Sequence, residues 1–233
     1  MIDTHCHLLP GLDDGPRHER EAVELARALF ADGVTEVLCT PHYASMFPTD
    51  HAEAVERHEA LQMRLAADGI GLRTSLAAEV GPGFAASEPL DVLTARSIGG
   101  RYLLVEVLAD SPAGFLPLVH DRLAEAGLLP IFGHPERSRA LHRSLVILDH
   151  LRADGALVQV VAPSLIGRWG SDVEAAAWRI VDTGRADLLA SDAHGSKRRR
   201  PHLAEAADLV ADRLGPELAD ELTQHRPARI LRP

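Results

Sequence analysis

Leu128-Leu129-Pro130-Ile131-Phe132 is a run of five apolar residues that stops at Gly133-His134. A short run without polar interruption reads as a strand buried on both faces, with a polar side chain just past its carboxyl end. The same unit recurs on either side. Ile2–His5, Val34–Cys39, Leu72–Ala78, Tyr102–Val107, Ala156–Val161 and Ala186–Ala190 are further strand candidates. Between them lie helical patterns over His18–Asp32, Thr49–Ala67, Pro117–Ala126, Arg143–Ala153, Asp172–Thr183 and His202–Leu214, and a short helix is expected over Pro216–His225. Val23, Ala26, Leu29 and Phe30 give the first of these an apolar stripe at helical spacing, and Gly33 looks like its stop. Seven strands alternating with helices predict an α/β protein with a parallel sheet covered on both faces. A closed or nearly closed βα barrel and an open doubly wound sheet both fit this pattern. Gly81–Pro89 reads as an inserted loop, and no linker or repeat divides the chain, so residues 1–233 are expected to form one domain.

The chain has 233 residues, 46% of them hydrophobic and 25% charged, enough to bury a core without staples. Its formal net charge of −10 argues against a nucleic-acid partner, which calls for a basic surface. Two cysteines, Cys6 and Cys39, make no disulfide framework and suit a reducing cytosol. The N-terminus lacks the basic start and apolar stretch of a signal peptide, and no run approaches the roughly 20 apolar residues of a membrane span. A cytoplasmic protein with no membrane insertion is expected.

In βα proteins the chemistry sits at the carboxyl ends of the strands. Here the strands are followed in turn by His5 and His7, by His42, by Glu79, by Glu106, by His134, and by Asp192 and His194. Asp13-Asp14 lies in the loop after the first strand. His5 and His7 share one face of their strand because side chains alternate, and Asp192 and His194 repeat that spacing. A lone histidine at a strand end is usually a hydrogen-bonded core or surface residue. Six of seven strands ending in imidazole or carboxylate is a different matter, since buried charges are rare unless paired or metal-bound. These donor types suit borderline divalent ions such as Zn, Mn or Fe. Counting one of the two aspartates, nine donors are too many for one ion and fit two or three that share a carboxylate. The remaining histidines, His18, His51, His58, His120, His142 and His150 on helical patterns, are expected to face solvent, with His202 and His225 unremarkable. Cys6 and Cys39 read as small apolar packers.

The ordered set Met1-Ile2-Asp3-Thr4-His5-Cys6-His7, Leu9-Pro10-Gly11-Leu12-Asp13-Asp14-Gly15, Thr40-Pro41-His42, Gly133-His134-Pro135-Glu136-Arg137, Ile166-Gly167-Arg168-Trp169-Gly170, Ser191-Asp192-Ala193-His194 and Arg226–Leu231 resembles the PHP (polymerase and histidinol phosphatase) superfamily. More narrowly it is similar to the bacterial tyrosine phosphatases of capsule and exopolysaccharide operons, the CpsB/YwqE group. The motifs keep the group's order over essentially the whole chain. The resemblance implies a distorted (β/α)7 TIM-like barrel, the PHP fold, with two or three divalent ions (Mn, Fe, Zn or Co). It implies His5, His7, Glu79 and Asp192 on the first ion, and Glu106 and His134 on a second bridged by Glu79. Asp14, His42 and His194 would hold a third, Asp14 being chosen over Asp13 by its place before Gly15. It also implies phosphate-binding arginines at Arg137 and Arg200, although the run Lys197–Arg200 offers Arg198 and Arg199 as well. Two stretches depart from the group: Tyr43 follows His42, and Gln159–Ser164 is unusually apolar. Both are candidates to line the substrate pocket.

The implied reaction is hydrolysis of a phosphomonoester by a metal-bridging hydroxide, with the phosphotyrosine-bearing tail of a membrane-associated tyrosine kinase as partner substrate. Arginine forks suit the equatorial oxygens of the phosphoryl group. Cysteine-based tyrosine phosphatases need an arginine six residues after the nucleophile, and Cys6 and Cys39 are followed at that distance by Leu12 and Ser45. A PHP-type phosphatase of a small metabolite such as histidinol phosphate shares the metal site and is the alternative. A metal-dependent nuclease or editing module is disfavoured by the negative charge, and a non-catalytic subunit by the completeness of the donor set.

Overall fold

The structure is a computed structural model and describes residues 1–232. Its strands are β1 (Ile2–Cys6), β2 (Glu36–Cys39), β3 (His42–Ala44), β4 (Phe47–Pro48), β5 (Arg73–Leu76), β6 (Glu79–Val80), β7 (Tyr102–Glu106), β8 (Leu129–Gly133), β9 (Leu157–Val161) and β10 (Leu188–Ala190). The helices are α1 (Glu19–Ala31), α2 (His51–Ala67), α3 (Pro82–Ser87), α4 (Leu90–Thr94), α5 (Phe115–Ala124), α6 (Val146–Ala153), α7 (Ala162–Leu165), α8 (Ser171–Asp182), α9 (Leu203–Leu214), α10 (Pro216–Asp220) and α11 (Arg226–Leu231). A π-helical turn, Glu221–His225, joins the last two. None of these helices is long and apolar enough to cross a membrane.

Hydrogen bonding divides the strands into two ladders, β1-β2-β5 and β10-β9-β8-β7-β6-β3-β4, parallel throughout except for the β3–β4 hairpin. Two of the expected strands are each followed at once by a second short one that the sequence reading did not include: β3 lies past Val34–Cys39 and β6 past Leu72–Ala78. Pro41, which has no N–H to give a neighbour, separates β2 from β3. Ala77-Ala78 separates β5 from β6, where the Ala78 N–H turns to the carbonyl of Arg96. The chain therefore passes from one ladder to the other twice, from β2 to β3 and from β5 to β6, and so joins them. On the other flank the chain beyond β10 meets β1: the Asp192 N–H donates to His5 O, the His7 N–H donates to Ala193 O, and Cys6 and Ala193 form a parallel bridge. Buried Asp3 closes the seam by accepting from the Ser191 N–H (2.9 Å) and hydroxyl (2.5 Å). The architecture is the distorted β/α barrel that the resemblance implies.

Side-chain alternation along the strands makes two apolar layers. Leu38, Leu104, Ile131 and Leu188 point into an inner cluster, which Ile230 and Leu231 of α11 close near the amino ends of the strands. Val37, Cys39, Leu103, Val105, Phe132 and Leu189 point outward, into the cluster shared with the helices. The helices bury one stripe each; in α1 this is Ala22, Leu25, Ala26 and Leu29, at i, i+3, i+4 and i+7. α2 starts where the Asp50 side chain accepts from the Glu53 N–H.

Three expectations are corrected. Gly81–Pro89 is not a plain loop but carries α3, with Pro82 pre-set for a first helical turn, and Pro89 caps α4. The short helix expected over Pro216–His225 is α10 followed by the π turn, and the helical path runs on into α11. His120 does not face solvent: with Leu116, Val119 and Leu123 it lies on the buried stripe of α5.

Candidate metal centre

At the carboxyl ends of the strands the inner apolar layer gives way to a polar one. The nine side chains expected to hold metal all reach it. His5 and His7 come from β1 and the residue beyond it, His42 opens β3, Glu79 opens β6 and Glu106 ends β7. His134 follows β8, and Asp192 and His194 follow β10. Asp14 reaches in from the loop after β1, with its carboxylate 40% exposed, the most open of the donors that form ion pairs here.

Glu79 is the hub. Its Oε1 accepts from His134 Nε2 at 2.8 Å. Its Oε2 lies 3.3 Å from His5 Nε2, 3.3 Å from His7 Nε2 and 3.0 Å from His42 Nδ1. Asp192 Oδ1 lies 3.6 Å from both His5 Nε2 and His7 Nε2, and those two nitrogens are 3.2 Å apart. Four donors bonded tetrahedrally at about 2.1 Å would be about 3.4 Å apart along each edge. The five measured edges of the His5–His7–Glu79–Asp192 set match that figure. Asp14 Oδ1 stands 3.1 Å from His194 Nε2 and 3.5 Å from His42 Nε2. Glu79 Oε2 and His194 Nε2 are buried and make no hydrogen bond, an expensive condition for a carboxylate and an imidazole that a cation relieves. The residues present therefore fit divalent ions.

The grouping differs from the expected one in two respects. Glu106 comes within ligand reach of Glu79 and His42, not of His134. His7 falls with Asp14, His42 and His194 as well as with His5 and Asp192.

Neighbouring side chains fix the imidazoles. Asp13 Oδ2 accepts from His7 Nδ1 at 2.7 Å and from the His42 N–H at 2.9 Å, while its Oδ1 accepts from the Gly15 N–H at 2.9 Å. A Cβ on Gly15 would lie 2.5 Å from His7 O and 3.0 Å from Asp13 Oδ1, so this loop needs a glycine. Gln159 Oε1 faces His5 Nδ1 at 2.8 Å, and the Gln159 amide donates to Thr4. His194 Nδ1 donates to the carbonyl of Asp192. Such bonds leave the opposite ring nitrogen free for a metal. Glu136 accepts from the Val161 N–H and ties the His134–Arg137 turn to β9.

The charges are strongly coupled. Burial disfavours the ionised form of Glu79, yet His5, His134 and His42 outweigh it and hold the carboxyl well below its usual range. Burial opposes protonation of His7 too, but Asp13 lifts it to about 9. Burial and the charge of Glu79 push Glu106 up to about 7. Burial, with Arg137 adding to it, brings His134 down to about 4. The backbone is strained at the same place. The non-glycine residues with left-handed φ are His134 (39°), Asp192 (51°) and Arg199 (50°), a conformation costing about 1–3 kcal/mol each.

Of the two expected arginines, one is placed at the centre and one is not. Arg137 pairs with Asp192 Oδ2, its guanidinium 4.7 Å from the ring centre of Trp169. Arg200 makes no ion pair here. Arg199 does instead, at 2.8 Å from Asp14 and 3.5 Å from Asp192. Its left-handed backbone, with the Arg199 carbonyl accepting from the His194 N–H, turns its side chain inward. Tyr43 does not line the centre: it packs edge-on against Phe84, with Arg96 over its ring and its hydroxyl donating to Glu88. Asp13 and Arg199 stood in the sequence reading only as alternatives to Asp14 and Arg200, and Gln159 only as part of an apolar stretch expected near the pocket; Glu136 was given no role. Gln159 carries a signal of its own, as a lone polar residue within the buried run of β9.

Two hollows flank the centre. One, about 410 Å3, has Met46, Phe47, Phe84 and Leu108 beside Asp14, His42 and Glu106. The other, about 490 Å3, is strongly cationic and shares Asp192.

The sequence profile of the family described as capsular polysaccharide synthesis, CpsB/CapC, matches residues 1–232. The chain is similar to tyrosine-protein phosphatase YwqE of Bacillus subtilis, 30% identical over 227 residues that cover 97% of this chain and 89% of that protein. It is similar to tyrosine-protein phosphatase CpsB of Streptococcus pneumoniae, 25% identical with 99% and 98% covered. A crystal structure from work on YwqE and CpsB, described as unique metal-dependent tyrosine phosphatases, superposes with a TM-score of 0.89 at 30% identity, over 100% of this chain and 94% of that one. Matched in sequence from end to end and in backbone over its whole length, the chain belongs to the CpsB/CapC family of capsular polysaccharide synthesis.

Proposed function

We propose that this chain is a metal-dependent protein-tyrosine phosphatase. On this reading two or three divalent ions are held by His5, His7, Asp14, His42, Glu79, Glu106, His134, Asp192 and His194. The observation that carries the reading is the hub at Glu79, one buried carboxylate in contact with four imidazoles. Family membership and the named relatives support the substrate class.

Bound divalent ions supply Lewis acidity and an activated water at neutral pH. The chain's own residues do the rest. Arg137, clamped between Asp192 and Trp169, presents a preorganised fork to the equatorial phosphoryl oxygens, where charge changes during transfer. Arg199, paired with Asp14 and Asp192, supplies the second fork in place of Arg200. The apolar hollow of Met46, Phe47, Phe84 and Leu108 is the site for the tyrosyl ring on this reading, a lining that suits an aryl better than a polar alkyl ester. Cys6 and Cys39 take no part. Burial pushes both thiols up, away from the reactive thiolate. The partner on this reading is the phosphotyrosine-bearing tail of a membrane-associated tyrosine kinase, met on the cytoplasmic side. Two free buried thiols suit that compartment.

The test is metal analysis of the purified protein, coupled to hydrolysis of phosphotyrosine peptides, histidinol phosphate and sugar phosphates. Chelation is expected to abolish turnover, and Mn or Co to restore it. Full activity in metal-free protein sinks the metal reading. A hundredfold preference for histidinol phosphate over phosphotyrosine peptides replaces the substrate reading with the metabolite one.

A further inference from the structure

Beside the metal centre lies a concentration of positive charge of which the proposed reaction uses Arg199 alone. Arg168, Trp169, Lys197, Arg198, Arg199 and Arg200 line the cationic hollow of about 490 Å3, and Asp192 forms its wall toward the metal centre. Arg199 is paired with Asp14 and Asp192. Among the described residues, the side chains of Arg168, Lys197, Arg198 and Arg200 have no carboxylate within 4 Å and donate no hydrogen bond. Elsewhere this acidic chain pairs most of its surface cations, as in Arg27–Asp68, Arg64–Glu19, Arg139–Asp110 and Arg213–Asp182, and the exceptions among the described residues, Arg17, Arg101 and Arg143, lie singly and line no common hollow with one another. Four unpaired cations around one concavity, in a protein of formal net charge −10, are therefore an arrangement and not a surplus.

The hollow is assembled from two distant segments, Arg168-Trp169 after α7 and Lys197–Arg200 after β10. Trp169 is 43% exposed and forms the rim between hollow and metal centre, with Arg137 at 4.7 Å and Arg199 at 5.9 Å from its ring centre. A chain anchored at the metal centre meets Trp169 first and the cationic hollow next.

We infer that this hollow is a second oxyanion subsite, which holds an acidic group, phosphoryl or carboxylate, on the same polypeptide whose phosphotyrosyl group lies at the metal centre. The inference rests on the tyrosine-phosphatase reading and adds to it a substrate class: peptides with a second acid near the phosphotyrosine. Guanidinium forks and a lysine ammonium suit both kinds of oxyanion. Their field draws an acidic chain to the mouth of an otherwise negative protein.

The experiment compares kcat/KM of the metal-loaded enzyme on three peptides of equal length. Each carries one phosphotyrosine and, nearby, a second phosphotyrosine, a pair of Glu, or a pair of Gln. 4-Nitrophenyl phosphate, which has no second acid, is the internal reference. Wild type is expected to favour the acidic peptides over the Gln peptide by about tenfold, the sum of two or three partly exposed ion pairs. A larger factor for the second phosphotyrosine than for Glu identifies phosphoryl as the ligand, and equal factors identify any oxyanion. Combining Arg168→Ala, Lys197→Ala and Arg198→Ala is expected to bring the acidic-to-Gln ratio below about twofold. If that combination does not fold, Arg198→Glu is read in the same ratio, together with anisotropy of a labelled non-hydrolysable phosphonate peptide with and without the second acid. A wild-type ratio near one overturns the subsite and leaves the phosphatase reading standing. A tenfold ratio that survives the substitutions places the second acid elsewhere and also overturns it. Hydrolysis of histidinol phosphate with none of the phosphotyrosine peptides turned over defeats the phosphatase reading and the subsite together.

Discussion

Asp13→Asn separates two neighbouring aspartates that look alike in sequence. Asp13 Oδ2 accepts from His7 Nδ1 and from the His42 N–H, and Oδ1 accepts from the Gly15 N–H. An asparagine has one acceptor oxygen. Whichever way its amide turns, the NH2 faces at least one N–H that donated to the aspartate. That leaves a largely buried donor without a partner, at about 1–3 kcal/mol of folding stability. The charge that orients His7 and makes it a stronger ligand is lost as well. Loss of such a carboxylate partner costs about 10–100-fold in metal affinity, or about 1.4–2.7 kcal/mol. Asp14→Asn behaves differently. Its carboxylate is 40% exposed and pairs with Arg199, so metal-free stability changes by under about 1 kcal/mol, while the ion held with His42 and His194 is lost. Urea unfolding of the metal-free proteins reads the first quantity, and metal stoichiometry with affinity by calorimetry and mass spectrometry reads the second. Asp13→Asn with a wild-type urea midpoint and metal affinity within twofold of wild type would refute this account of Asp13.

Arg137→Ala is expected to lower kcat about a hundredfold with a smaller change in KM, because a preorganised donor acts mainly on transition-state charge. A kcat within threefold of wild type, with metal content intact, removes Arg137 from the reaction. Arg199→Ala is expected to cost more in kcat than Arg200→Ala on an aryl phosphate, and the reverse order restores the assignment made from sequence. The double variant Cys6→Ser, Cys39→Ala is expected to keep most of its turnover. Cys6 Sγ already donates to the Ala193 carbonyl, which a serine hydroxyl can replace, and both thiols are buried without ion-pair partners. Loss of activity with metal and fold intact points to a thiolate step.

The fold was legible because each strand has a continuous apolar run and each run is short. The seven runs read from sequence all contain strand, within a few residues. What was hidden is that two of them are followed by a second short strand, β3 past Val34–Cys39 and β6 past Leu72–Ala78. Two or three residues carry no periodicity, and the links give no sign of it: Pro41 lacks an N–H for the ladder and Ala78 gives its own to Arg96. The short strands matter for function. They bring His42 and Glu79 into a second ladder, β3 paired with β6, whose register sets those two residues opposite each other.

The site divides along a similar physical line. Donors at strand ends were legible because strand position fixes where a side chain goes: His5 and His7 share a face by alternation alone. Residues in loops were not, because no period predicts a loop side chain. Asp13 and Asp14 are adjacent, equally acidic and both before Gly15. Only the close approach of Gly15 to the His7 carbonyl shows why the first turns back to His7 and the second turns out to His42 and His194. Lys197–Arg200 presents the same difficulty with four cations in a row. A single φ of 50° at Arg199 selects which of them faces Asp14 and Asp192. With Arg199 committed to the metal centre, Lys197, Arg198 and Arg200 are left around the adjoining hollow, none of them with a carboxylate within 4 Å among the described residues.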